Sequence, residues 1–265
     1  DLVINHTAAD SPLIREHPDW FLRDAAREIL HPGAWENNDW VSWNDLAAVD
    51  NAASPDRHNL WQYWLSVVMH YATLGIDGFR CDAAYQVPGD LWRFLMGSAR
   101  RDFPGLQFFA ETLGCTPEQT LEVARTGFDF IFNSSKWWDF SAPWCLDQLR
   151  ETAPVVPSIS FAESHDTERL ATELGGNHDA VQQRCVFATL FSTGVMMPIG
   201  FEYGFRRRMD VVKTRPSDWE EPGWDDTEFI QRVNALKAGH SIWNEDRPIE
   251  SLDSGNPSVA ALWNT

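Results

Sequence analysis

A chain of 265 residues, 43% of them hydrophobic, is long enough to bury one large core. Its formal charge of −18 repels phosphate backbones and anionic lipid surfaces, so neither nucleic acid nor membrane is an expected partner and a neutral substrate is favoured. Cys81, Cys115, Cys145 and Cys185 stand far apart with no CxxC pair, no apolar run approaches the roughly 20 residues that span a bilayer, and no signal peptide is visible; free thiols in the cytoplasm are expected rather than disulfides or zinc.

In chain order, short apolar segments alternate with helical patterns. Residues 1–5 (DLVIN) read as a strand that the chain enters mid-way, which implies preceding strands. Residues 7–55 are too long for a strand–helix loop and are rich in Trp, Asn, Asp and Pro; they read as an excursion inserted over the mouth of the fold. Ser54-Pro55-Asp56 has the signature of a helix N-cap, and Leu60, Trp61, Trp64, Leu65, Val68, Tyr71 and Ala72 then recur at helical spacing up to Gly75, a C′ glycine. Thr116-Pro117-Glu118-Gln119 is a capping box, with Gly127 closing its helix. Residues 181–193 and 227–238 are further helical patterns, and 76–82, 106–111, 128–132, 158–163 and 195–199 read as strands. Residues 256–263 look like the first strand of a further domain.

Repeated strand–helix units imply a parallel sheet, and the glycine fingerprint of a doubly wound dinucleotide fold is missing. Polar clusters stand at successive strand ends, Asn5-His6, Arg80 to Asp82, Glu111, and His165-Asp166, where a (β/α)8 barrel builds its active site. About six strands are counted, so the expected fold is an N-terminally truncated (β/α)8 barrel holding strands 3 to 8. It would occupy residues 1–245, with 7–55 as an inserted domain and 246–265 as the start of a C-terminal β-sandwich.

Glycosidic cleavage needs two carboxyl groups in different states, one protonated and one ionised. Arg80 and Asp82 share a strand face, so the guanidinium can hold the carboxylate ionised and oriented for attack; an internal structural ion pair fits the same spacing. Glu111 ends the apolar run Phe108-Phe109-Ala110, and apolar surroundings raise a Glu pKa as a general acid requires, although a buried Glu paired with a base fits as well. His165-Asp166 can supply a second carboxylate and a hydroxyl-binding imidazole, with Glu163 as a rival for either role. Among fourteen tryptophans, Trp35, Trp40 and Trp43 are loop candidates for stacking on sugar rings.

The strings DLVINH (1–6), GFRCD (78–82), FFAE (108–111) and FAESHD (161–166), in this order and spacing, resemble the four sequence regions of the α-amylase family, glycoside hydrolase family 13. The resemblance covers nearly the whole chain. It implies a retaining enzyme acting on α-glucans or maltooligosaccharides. Asp82 would be its nucleophile and Arg80 the partner that positions it, Glu111 the acid/base and Asp166 the third carboxylate. His6, His165 and Tyr85 would join Arg80 as substrate contacts, with Asp1 and Asn5 as structural members of the first region. Residues 197–204 (MPIGFEYG) resemble the eighth-strand segment. After Asp82 the Lys-His pair of many amylases is replaced by Ala83-Ala84-Tyr85-Gln86, and only Asn5 remains of a calcium set; no metal or cofactor is therefore expected. HPDWF (17–21), Pro88 and Gly200-Phe-Glu202 are loosely similar to maltosyltransferases that use maltose 1-phosphate, which favours transfer over hydrolysis. The alternatives are a non-catalytic sugar-binding relative and a fragment inactive by itself. Linkage, acceptor and oligomeric state are left open by the sequence.

Overall fold

The computed structural model of the chain describes residues 1–36 and 39–264, which divide into two units, Asp1–Ile131 and Phe132–Thr265. The first unit runs β1 (His6–Ala8), α1 (Pro12–Glu16), β2 (Gly33–Glu36), β3 (Asp39–Ser42), β4 (Leu46–Ala48), α2 (Arg57–Thr73), β5 (Gly78–Cys81), α3 (Gly89–Asp102), β6 (Gln107–Ala110), α4 (Pro117–Ala124) and β7 (Phe130–Phe132). Strands β5, β6 and β7 are parallel neighbours, with Arg80 opposite Phe109, Cys81 opposite Ala110 and Ala110 opposite Ile131. Helices α3 and α4 are their crossovers, and α3 buries Leu91, Trp92, Leu95, Met96 and Ala99 along one face.

The strand expected over 1–5 is reduced to one parallel bridge between Leu2 and Cys81. Leu2 N–H donates to Arg80 O at 2.7 Å, and Asp82 N–H donates to Leu2 O at 3.1 Å. Beyond Leu2 the carbonyls are taken from outside the ladder. Ile4 O accepts from Asn51 Nδ2 at 2.7 Å and Asn5 O from Val49 N–H at 3.0 Å, which turns the chain out into the excursion. There β1 pairs antiparallel with β4, and β2 with β3.

Helix α2 begins at Arg57, and Ser54 is not its cap: the Ser54 hydroxyl donates to Asp19 O at 2.7 Å and accepts from Asp56 N–H, tying down the excursion instead. The helix buries Leu60, Trp64, Val68 and Ala72, one residue in four, and leaves Tyr71 exposed. Gly75 follows the C-cap at φ +92°, as its C′ assignment requires. The Thr116 capping box forms in full at the start of α4.

The second unit holds α5 (Trp144–Thr152), β8 (Ser158–Phe161), α6 (Leu170–Glu173), α7 (His178–Phe191), β9 (Gly194–Met196), α8 (Thr227–Gly239), β10 (Ile249–Leu252) and β11 (Ala261–Asn264). Strands β8 and β9 pair in parallel, and all four β8 residues are buried, as expected of a strand covered on both faces. A Cβ on Gly194 would lie 2.6 Å from Ile159 Cγ1, so only glycine allows this approach of β9 to β8. The strand expected over 195–199 ends at Met196, and Ile199 is exposed.

Asp246 fastens the starts of both strands. One carboxylate oxygen accepts from Ser158 N–H (2.8 Å) and Ser158 Oγ (2.6 Å), the other from Thr193 N–H and Thr193 Oγ1 (2.6 Å each). The strand expected over 256–263 is instead the second arm of an antiparallel hairpin, β10 with β11. Its first half is a turn in which Ser254 Oγ donates to the carbonyls of Asn256 and Val259. Ile249 and Leu262 of the hairpin pack against Trp138, Leu146, Leu149 and Phe191.

Candidate active site

Strand alternation places Arg80 and Asp82 on one face of β5, and the structure joins them: Arg80 Nη1 lies 2.9 Å from Asp82 Oδ1 and 3.1 Å from Asp1 Oδ2. One largely buried guanidinium thus holds two carboxylates at the strand's C-terminal end. Because Leu2 sets the register of Asp1 against β5, the first and second sequence regions meet here.

Glu111 stands at the end of the adjacent strand, β6, and is only 7% exposed. Its Oε2 accepts from Ala83 N–H at 2.8 Å and its Oε1 from Leu113 N–H. Burial pushes its carboxyl above the usual range and the Asp82 charge adds to this, while the two amides and Arg80 pull the other way. A carboxyl whose pKa is raised by burial next to an oriented carboxylate is the asymmetry that glycosidic chemistry uses.

Ala83, between Asp82 and the next turn, adopts φ +40° and ψ +49°, a left-handed conformation that strains a residue carrying a Cβ. The hydrogen bond to Glu111 Oε2 holds it there, and Ala84 N–H adds a second tie to Glu111 O at 3.1 Å.

His6 is half-buried. Burial lowers its pKa, opposed by Asp82 and Asp45, so the neutral imidazole is favoured, and its Nδ1 has no hydrogen-bond partner among the described residues. The hydroxyl of Tyr85 lies 3.4 Å from Gln86 Nε2; burial raises its pKa, with the charges of Glu111, Cys115 and Asp82 adding. Asn5 Nδ2 contacts Gln86 Oε1 at 3.4 Å. Asp82, Glu111, Arg80, His6, Tyr85, Asp1 and Asn5 are therefore all gathered in the first unit.

His165 and Asp166 lie in the second unit, on the loop after β8, with His165 Nε2 3.0 Å from Asp166 Oδ2. Glu163, the rival for their roles, has both carboxylate oxygens engaged elsewhere. It is 2% exposed and bonded to Arg169 Nη1 and Leu170 N–H, both at 2.6 Å. Trp43 is half-buried, and the side chains of Trp35 and Trp40 lie outside the described residues.

Two supporting residues escaped the sequence reading. Asn51 is buried, with Nδ2 on Ile4 O and Oδ1 accepting from Trp64 Nε1 at 3.0 Å, so it fixes the backbone before His6. Gln86 bridges Asn5 and Tyr85. Neither carries a local pattern; only tertiary contact reveals them. All four cysteines are free thiols, and burial pushes Cys145 up to about 12 and Cys185 to about 11.

No family model matches the chain. It is 26% identical over 271 residues to the α-1,4-glucan:maltose-1-phosphate maltosyltransferase of Burkholderia pseudomallei, covering 99% of this chain and 24% of that protein. It is also 26% identical to the enzyme of the same name from Rhodospirillum rubrum, covering 95% and 37%. The chain is loosely related to the α-amylase family. Among solved structures it superposes on an α-amylase from H. orenii with a TM-score of 0.78 at 14% identity, covering 99% of this chain and 66% of that one. An α-amylase from Lactobacillus plantarum gives a TM-score of 0.72 at 21% identity, covering 95% and 62%. These superpositions show the fold, a partial (β/α)8 barrel of the kind found in the family. The chain spans about a quarter to two-fifths of the length of the curated relatives it matches. Among the described residues no helix is long and apolar enough to cross a membrane.

Proposed function

We propose that the protein acts on α-glucosidic bonds of maltooligosaccharides or glucans by double displacement with net retention, transferring a maltosyl unit in preference to hydrolysing it. Asp82 attacks the anomeric carbon while Glu111 delivers its proton to the departing oxygen. Glu111 then takes the proton of the acceptor hydroxyl as that oxygen displaces Asp82 from the covalent glycosyl ester. The observation that carries this reading is the pairing at adjacent strand ends: Asp82 oriented by Arg80 at 2.9 Å, and a buried Glu111 bound to the residue next to Asp82. Arg80 orients the nucleophile, and Asp166 is assigned to stabilise the oxocarbenium-like transition state. His6, His165 and Tyr85 are assigned to the sugar hydroxyls.

The preference for transfer, and a maltosyl phosphate donor, rest on the maltosyltransferase names of the curated relatives. Four free thiols suit a reducing compartment, and the cytoplasm is the proposed location. Residues 246–265, with their hairpin, are proposed as the start of a C-terminal β-domain.

The test is incubation with maltose 1-phosphate, maltose and maltooligosaccharides, with products identified by mass and their anomeric configuration by proton NMR. Elongated α-linked products formed with retention, and lost in Asp82→Asn, are expected. Inversion, or turnover surviving in that variant, overturns the assignment.

A further inference from the structure

The sequence left Glu163 as a competitor for the chemistry at the end of β8, yet the structure buries it in a network that faces the loop behind His165 and Asp166. Residues 164–169 leave β8 and return at α6 as a short loop with His165 and Asp166 at its crown. Glu163 and Arg169 close its base. Their side chains are 2% and 3% exposed, with Arg169 Nη1 on Glu163 Oε1 at 2.6 Å, and the other carboxylate oxygen accepts Leu170 N–H at 2.6 Å. The same guanidinium reaches outward, Nη2 donating to Ile199 O at 2.8 Å and Nε to Arg207 O at 3.3 Å. Gly200 makes room for it: a Cβ there would stand 2.9 Å from Arg169 Nη2 and 2.2 Å from Phe205 Cδ2.

The crown carries the His165–Asp166 ion pair at 3.0 Å, and its backbone is tied down by neighbouring side chains. Asp166 N–H donates to Ser164 Oγ at 3.2 Å, Ser164 N–H to Thr167 Oγ1 at 2.9 Å, and Arg208 Nη2 to Asp166 O at 2.9 Å. The Asp166 side chain itself is 57% exposed. A fully buried ion pair contributes little net stability compared with apolar residues of the same shape, but it fixes geometry through directional bonds. Here those bonds join the strand end, the loop's return and the segment 199–208.

We propose that Glu163 and Arg169 are positioning residues that set the pose of Asp166 through the loop they close. This rests on the assignment of Asp166 as the transition-state-stabilising carboxylate. Misplacing a reacting group by about 1 Å costs on the order of a hundred-fold in rate. Arg169→Lys gathers its donors on one nitrogen and loses the fork whose Nη1, Nη2 and Nε each meet a separate acceptor, and Glu163→Gln leaves the guanidinium without its counter-charge.

The experiment compares kcat for α-maltosyl fluoride, an activated donor, in Arg169→Lys and Glu163→Gln, each alone and combined with Asp166→Asn. The expected result is a kcat loss of about ten- to a hundred-fold with KM little changed, and no further loss when Asp166 is already Asn. Equal losses in both backgrounds, or an unchanged kcat in the single variants, overturn the proposal. Hydrogen exchange supplies a readout independent of turnover: the Ser164 and Leu170 amides should exchange faster while those of β8 and β9 do not. Faster exchange across the whole unit would mean a merely structural role and also overturns it. Asp82→Asn is the control for the chemistry. If that variant stays active, the reaction assignment falls, and the clamp is then judged on the amide exchange alone.

Discussion

Replacing Asp246 by Ala removes the single carboxylate that fastens the starts of β8 and β9. Four donors lose their acceptor: the N–H and Oγ of Ser158, and the N–H and Oγ1 of Thr193. A hydroxyl can rotate toward another acceptor, and Ser158 Oγ keeps the bond it accepts from Asn133 Nδ2, so the larger loss falls on the amides. The amides cannot turn. Ser158 is fully buried, and stranding such an N–H costs about 1–3 kcal/mol. The buried Ser158 amide at about 2 kcal/mol and the half-buried Thr193 amide at about 1 kcal/mol give about 3 kcal/mol. Asp246→Asn retains one acceptor oxygen and should lose about half as much. Urea unfolding followed by tryptophan fluorescence reads both variants as a fall in midpoint at constant slope. An Ala variant within about 0.5 kcal/mol of the parent, as surface substitutions usually are, would refute the reasoning. So would an Asn variant that is the less stable of the two.

The remaining expectations concern the chemistry. Asp82→Asn should abolish turnover with an unchanged circular dichroism spectrum, because it removes the attacking oxygen and leaves the fold; residual product formation above about a thousandth of the parent rate would contradict its role. Glu111→Gln should cost on the order of 10²–10⁴ in kcat for unactivated oligosaccharides and far less for a glycosyl fluoride, whose departure needs no proton; equal losses on both would exclude general-acid action. Burial raises the Glu111 pKa, and the acid must be protonated to act, so kcat/KM for oligosaccharides should fall as pH rises through that value, a limb absent from Glu111→Gln assayed with the fluoride. Ala83→Gly should be neutral or stabilising by up to about 1 kcal/mol, since glycine accepts the left-handed turn at φ +40°, whereas Ala83→Val should destabilise and slow turnover; thermal melts and kcat check both, and a Val variant equal to the parent would mean that the turn carries no strain.

Much of the barrel was legible in the sequence because strand ends and helix caps are local. Gly75 closes α2, Thr116 and Gln119 cap α4, and Arg80 meets Asp82 because two residues on a strand share a face. The misreadings lie where a distant contact outweighs local preference. Ser54 has the chemistry of a cap but spends its hydroxyl on Asp19 O, 35 residues away. Residues 3–5 belong to the apolar run that reads as a strand, but Asn51 and Val49 take the carbonyls of Ile4 and Asn5. Glu163 looked interchangeable with Asp166 because both are acids near one strand end; burial against Arg169 separates them, and no short-range pattern encodes that pairing.

The left-handed turn at Ala83 makes one exchangeable cassette of two segments. Its N–H is the donor to Glu111 Oε2, and its conformation sets where the chain goes after Asp82. Grafting the residues after β5 from a relative would shift the acid, and grafting those after β6 would shift the nucleophile. A chimera meant to change acceptor preference must therefore move 80–86 and 107–115 together, and transplants that split them should fail even when every carboxylate is retained.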